Sequence, residues 1–119
     1  MENKNILKEK SYRFALRIVN LYKYLSTEMK EFVLSKQVLR SGTSIGANIV
    51  EAGQAQSRSD FIHKLSISHK VSFETQYWLD LLRDAEYLST DQAASLVADC
   101  CKLQKMLTVS IKTAKTNRK

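Results

Sequence analysis

The chain has 119 residues, a formal net charge of +7, no proline and three glycines. That length holds one hydrophobic core and not two, and 44% hydrophobic with 26% charged residues is a globular rather than a disordered balance. Tight turns draw on proline and glycine, so the composition argues against a sheet protein and fits long helices with short loops, in a single domain over 1–119.

The first periodic segment covers about 5–26, where Leu7, Phe14, Ile18, Leu21 and Leu25 recur at helical steps and form one buried stripe. Ala15 and Tyr22 widen the stripe, and Lys10, Arg13 and Arg17 flank it. Ser26-Thr27 is the expected break. A second helix is expected over about 30–55, with Phe32, Leu39, Ile45, Ile49 and Val50 on its apolar side. Gly42 and Gly46 sit four apart within it and mark a close helix crossing. Ser57 and Asp60 have capping-box spacing at the start of a third helix, about 59–86.

That third helix is apolar on two sides. Phe61, Leu65, Leu79 and Leu82 lie on one stripe, and Ile67, Val71, Trp78 and Leu81 on another, a pattern that points to contact with another subunit. Thr90 and Asp91 are expected at the cap and first turn of a fourth helix, about 90–115. Its stripe is Ala93, Leu96, Cys100, Leu103, Leu107, Ile111 and Ala114, and its basic end, Lys112, Lys115, Arg118 and Lys119, complements the helix dipole. Four amphipathic helices with short connections predict an all-α, antiparallel up-down-up-down four-helix bundle.

Little in the sequence points to catalysis. His63 and His69 are six apart and on different sides of a helix, no Glu-x-x-His supplies a di-iron motif, and there is no phosphate-cradling glycine loop or nucleophile elbow. The reading is therefore no catalytic residue, no metal and no cofactor. Adjacent Cys100 and Cys101 point about 100° apart on a helix, which suits free thiols rather than a disulfide. No apolar run reaches bilayer length, and residues 1–10 lack the apolar stretch of a secretory signal, so the expected location is cytoplasmic.

The charge is uneven. Residues 1–27 carry six basic and two acidic groups, 28–58 four and three, 59–88 three and five, and 89–119 six and two. The first and last helices of an up-down bundle are neighbours, so their outer faces can merge into one basic surface. Such a surface suits nucleic-acid phosphates, and the same excess is equally that of a solvated surface with no ligand. The candidate phosphate contacts are Arg13, Arg17, Lys102, Lys105, Lys112 and Lys115. A basic face that docks an acidic partner protein is the alternative. An enzyme would instead need a pocket lined by Arg40, Asn48, Glu51 and their neighbours.

Gln37, Arg40, Ser44, Asn48 and Glu51 share one face of the second helix within about 100°. Glu74 on the third helix is the expected ionic partner of Arg40. A satisfied polar network of this kind fixes bundle register, and that role is favoured here over ligand binding.

The pattern Gln-x-x-Arg-Ser-x-x-Ser-Ile-x-Ala-Asn-x-x-Glu-Ala at 37–52 resembles the bacterial four-helix-bundle proteins encoded by intervening sequences in large-subunit ribosomal RNA genes. Ser11-Tyr12-x-Phe14-Ala15, Asp60-Phe61, Glu74 and Tyr77-Trp78-Leu79 fit the same pattern, so the resemblance covers about 10–112. It implies a four-helix fold and assembly into a ring-shaped homopentamer. The accessory proteins of diversity-generating retroelements are similar, and that likeness implies a basic surface for nucleic acid and for a reverse transcriptase. Relatives commonly carry a proline near the start of the second helix, and this chain does not.

Overall fold

Apolar residues spaced three and four apart wind the chain into α1 (Glu2–Thr27), α2 (Leu34–Ala52), α3 (Arg58–Asp84) and α4 (Thr90–Thr116). The computed structural model describes residues 2–117, with side chains from Ile6 onward. The loops between helices are 28–33, 53–57 and 85–89. Six residues reach at most about 20 Å, whereas the 19 residues of α2 rise about 28 Å, so successive helices must run antiparallel. Each helix packs on its neighbours in the chain, and α4 returns to α1 to close the square. The α1–α4 contact is the thinnest of the four. The molecule measures 51 × 22 × 20 Å.

The stripe of α1 is buried as the spacing predicts, from Leu7 to Leu25. Gly42 and Gly46 mark the place where α2 closes on α1. A Cβ on Gly42 would stand 2.8 Å from Ile18 Cγ1, and one on Gly46 would stand 3.3 Å from Ser11 Oγ. On α4, Ala93, Leu96, Cys100, Leu103, Leu107 and Ala114 are buried and Ile111 packs against them.

The second helix begins later than its apolar pattern suggests. Lys30 takes a left-handed backbone with φ 54°, and the Glu31 carboxylate then accepts from the backbone N–H of Val33, Leu34 and Ser35 at 3.1, 2.9 and 2.6 Å. These bonds satisfy amides at the helix start that have no partner within the helix. Phe32 therefore stands in the loop, 55% exposed, instead of joining the apolar side of the helix, and Val50 also faces outward. The cap of α4 is Ser89 rather than Thr90, in a capping box with Gln92. At the start of α3, Ser57 Oγ accepts from the Asp60 N–H, but Asp60 accepts from Gln56 rather than from Ser57.

Hydroxyls toward α2 and paired amides toward α4 fix how α3 sits between its neighbours. Ser68 Oγ donates to the Ile45 carbonyl at 2.8 Å, Thr75 Oγ1 donates to Ser41 Oγ at 3.1 Å, and Gln104 Nε2 donates to Gln76 Oε1 at 2.9 Å. Among the described residues no buried side-chain nitrogen or oxygen lacks a partner. The second apolar stripe of α3 is half-buried, with Val71 and Trp78 resting on the core. The bulky side chains that α3 leaves exposed are Phe73 and Tyr77.

Candidate nucleic-acid interface

Lys10, Arg13 and Arg17 follow one another at steps of three and four, which places them on the flank of α1 that faces α4. Across the seam, Asp99 and Lys102 occupy the matching flank of α4. Arg17 reaches over and donates to Asp99 Oδ2 at 2.7 Å, to Ser95 Oγ at 3.0 Å and to the Ser95 carbonyl at 3.3 Å. Arg13 is paired along its own helix with Glu9 at 2.6 Å. Lys10, Arg13, Asp99 and Lys102 line a shallow cavity of about 190 Å³ over Phe14 and Leu103.

Three of the six candidate cations, Arg13, Arg17 and Lys102, thus converge on the seam, and Lys10 joins them although the sequence reading left it out. Lys105 and Lys112 are exposed on the outward face of α4. Lys115 is exposed as well, but it lies about 140° round the helix from Lys102 and about 20 Å along it, toward the α3 side. Among the described residues, Lys10 and these four α4 lysines hold no carboxylate within ion-pair distance. Arg118 and Lys119, at the expected basic end, lie outside the described residues.

The polar stripe of α2 faces α3 at the bundle surface. Arg40 bridges to Glu74, as its position predicts, and also donates to Gln37 Oε1 at 3.3 Å. Trp78 Nε1 donates to the same Glu74 oxygen at 3.1 Å. Farther along, Glu51 accepts from Lys64 at 3.0 Å. Between these two bridges, Ser44 donates to the Arg40 carbonyl and Asn48 to the Ser44 carbonyl, so both fold back on their own helix. Arg40 and Glu51 stand about 16 Å apart along the axis and do not converge on a reacting centre.

The remaining chemically active side chains are dispersed. Cys100 donates to the Ser72 carbonyl, and burial, with smaller effects from Cys101 and Asp80, pushes its pKa up to about 12, which leaves it a protonated, unreactive thiol. Cys101 is half-buried, and both cysteines are free. His69 Nε2 lies 2.9 Å from Thr108 Oγ1, and His63 is exposed. Among the described residues no three His, Cys, Asp or Glu side chains gather where they could hold a metal ion. None of the described helices is long and apolar enough to cross a membrane.

The molecule is an all-helical, up-down-up-down bundle with a cationic seam between its first and last helices. The chain belongs to the 23S rRNA-intervening sequence protein family, whose model matches residues 3–109. It is also similar to a protein of unknown function from the S23 ribosomal protein family of Bacteroides thetaiotaomicron, whose crystal structure superposes with a TM-score of 0.92. The two sequences are 57% identical, and the match covers 92% of this chain and 98% of that one. No curated protein matches the chain significantly.

Proposed function

We propose that this protein is a non-enzymatic, cytoplasmic, oligomeric scaffold that binds nucleic acid through the cations of α1 and α4. The observation that carries the reading is the row of lysines without carboxylate partners, Lys10, Lys102, Lys105 and Lys112, beside the arginines of the seam. An unpaired ammonium gains more from a phosphate than one already neutralised, because binding releases counterions without first breaking an ion pair. The kinship with proteins of ribosomal RNA intervening sequences supports RNA as the ligand, and the likeness of the sequence to ring-forming relatives supports assembly as a homopentamer.

A titration of a structured RNA at several salt concentrations tests this. Binding should weaken steeply with salt, and Lys102→Glu with Lys105→Glu should lower affinity for every sequence alike. Neutralising each cation should reduce the slope of log K against log salt by about 1. An absence of binding at low ionic strength overturns the reading. Asp99 and Glu9 already sit against arginines here, so these cations accept carboxylates as well. An acidic protein partner, such as a reverse transcriptase, is the second reading, favoured by capture of a specific protein that survives nuclease.

A further inference from the structure

The cavity at the α1–α4 seam contains one group that a plain phosphate seat would not. Lys10 and Arg13 from α1 and Lys102 from α4 line it over Phe14 and Leu103, and Asp99 stands among them. A carboxylate repels a phosphate, so Asp99 weakens the site for a ligand that offers phosphate oxygens alone. The bond to Arg17 does not use the whole of Asp99. Arg17 donates to one carboxylate oxygen, Oδ2, at 2.7 Å, and its other bonds go to the Ser95 hydroxyl and carbonyl. Among the described residues no donor is bonded to Oδ1, and the Asp99 side chain is 39% exposed. An acceptor is thus left for a donor that arrives from outside.

The cavity is also small. At about 190 Å³ it falls below the usual size of a small-molecule pocket, so it suits one fragment of a polymer better than a free nucleotide. That fragment must present anionic oxygens to the cations and a hydrogen-bond donor to Asp99. The backbone of RNA has both close together, because each ribose carries a 2′-hydroxyl beside the phosphates. Deoxyribose lacks that hydroxyl. On a folded RNA the 2′-hydroxyls line a wide, shallow minor groove with phosphates along its edges. The seam has the complementary order, a carboxylate flanked by cations.

We infer that Asp99 accepts a hydrogen bond from a ribose 2′-hydroxyl and so makes the seam selective for RNA over DNA. The inference rests on the nucleic-acid part of the proposed function and adds the residue that sets which nucleic acid is held. Lys10, Arg13 and Lys102 attract either polymer, since both carry phosphates. Asp99 opposes both by repulsion, and a hydroxyl donor offsets that opposition. Selectivity then comes from a repulsive element as much as from an attractive one.

The experiment titrates hairpins of one sequence, made as RNA, DNA and 2′-O-methyl RNA, against the wild type and Asp99→Ala at fixed salt. The wild type should bind the RNA hairpin about tenfold more tightly than the DNA hairpin, the worth of one hydrogen bond to a charged group. The 2′-O-methyl hairpin keeps the RNA shape but has no donor, and its affinity should fall to that of DNA. Asp99→Ala should bind DNA more tightly than the wild type does and should hold RNA and DNA alike. A residue that merely anchors Arg17 would change all affinities by one factor, and that result overturns the inference. A 2′-O-methyl hairpin bound as tightly as RNA overturns it too. Equal binding of RNA and DNA by the wild type does the same, and leaves the nucleic-acid reading standing. No binding of any hairpin at low salt overturns both. Asp99→Leu, close in shape but without an acceptor, takes the place of Asp99→Ala should that variant lose its helical circular dichroism.

Discussion

Glu31 does more for the start of α2 than any residue inside it. Burial works against its charge, but the backbone N–H groups of Leu34, Ser35 and Val33 outweigh that and hold the carboxyl below its ordinary range. A lowered pKa means that the charged form is favoured by folding. Its contribution is therefore complete above the usual carboxylate pKa of about 4.3 and is lost as pH falls through the lower folded value. Glu31→Ala should cost about 1–2 kcal/mol at neutral pH, as a lost helix cap does. That corresponds to about 4 °C or more in Tm, and the gap to the wild type should close in acid. Equal melting temperatures at pH 7 would contradict this role. The sequence does not reveal the cap, because apolar Phe32 and Val33 continue the pattern and draw the expected start back to about residue 30.

At the scale of helices, the α1–α2 crossing depends on two glycines that are not equivalent. Alanine at Gly42 would drive a methyl group into Ile18, whose Cγ1 and Cγ2 lie 2.8 and 2.9 Å from the Cβ position. Overpacking of this kind costs about 1–3 kcal/mol, against a gain of about 1 kcal/mol in helix propensity. Gly42→Ala should therefore be destabilising by up to about 2 kcal/mol. Gly46→Ala, whose nearest neighbour is the small Ser11 side chain, should be close to neutral. Urea denaturation of both variants checks the order, and equal midpoints would remove the distinction. The glycine spacing and the four apolar stripes were legible because a helix repeats every 3.6 residues. The buried hydroxyls of Ser68 and Thr75 were not, since small polar residues give no periodic signal. Among the cations, the Glu9–Arg13 pair is readable at four residues, whereas Arg17 and Asp99, far apart in the chain, meet only through the fold. The uneven charge therefore counts Arg13 and Arg17 as free cations, although each holds a carboxylate.

For the molecule as a whole, the thin contact between α1 and α4 has a mechanical consequence. Three sides of the square are zipped by wide packing, and the fourth is narrower, with Phe14 and Leu103 beneath it and Arg17 reaching across to Asp99 and Ser95. The bundle is thus a folded strip with a clasp, and α1 is the flap that opens first. Amides of α1 should exchange with solvent faster than those of α3, because α1 packs less widely against its neighbours than α3 does. A polyanion lying across Lys10 and Lys102 would hold the flap shut from outside. It should slow exchange in α1 and raise the melting temperature by mass action. Exchange rates alike in α1 and α3, and unchanged by the polyanion, would refute this. A ligand at the seam would then act as a latch, making the closed molecule the form in which the bound nucleic acid is carried.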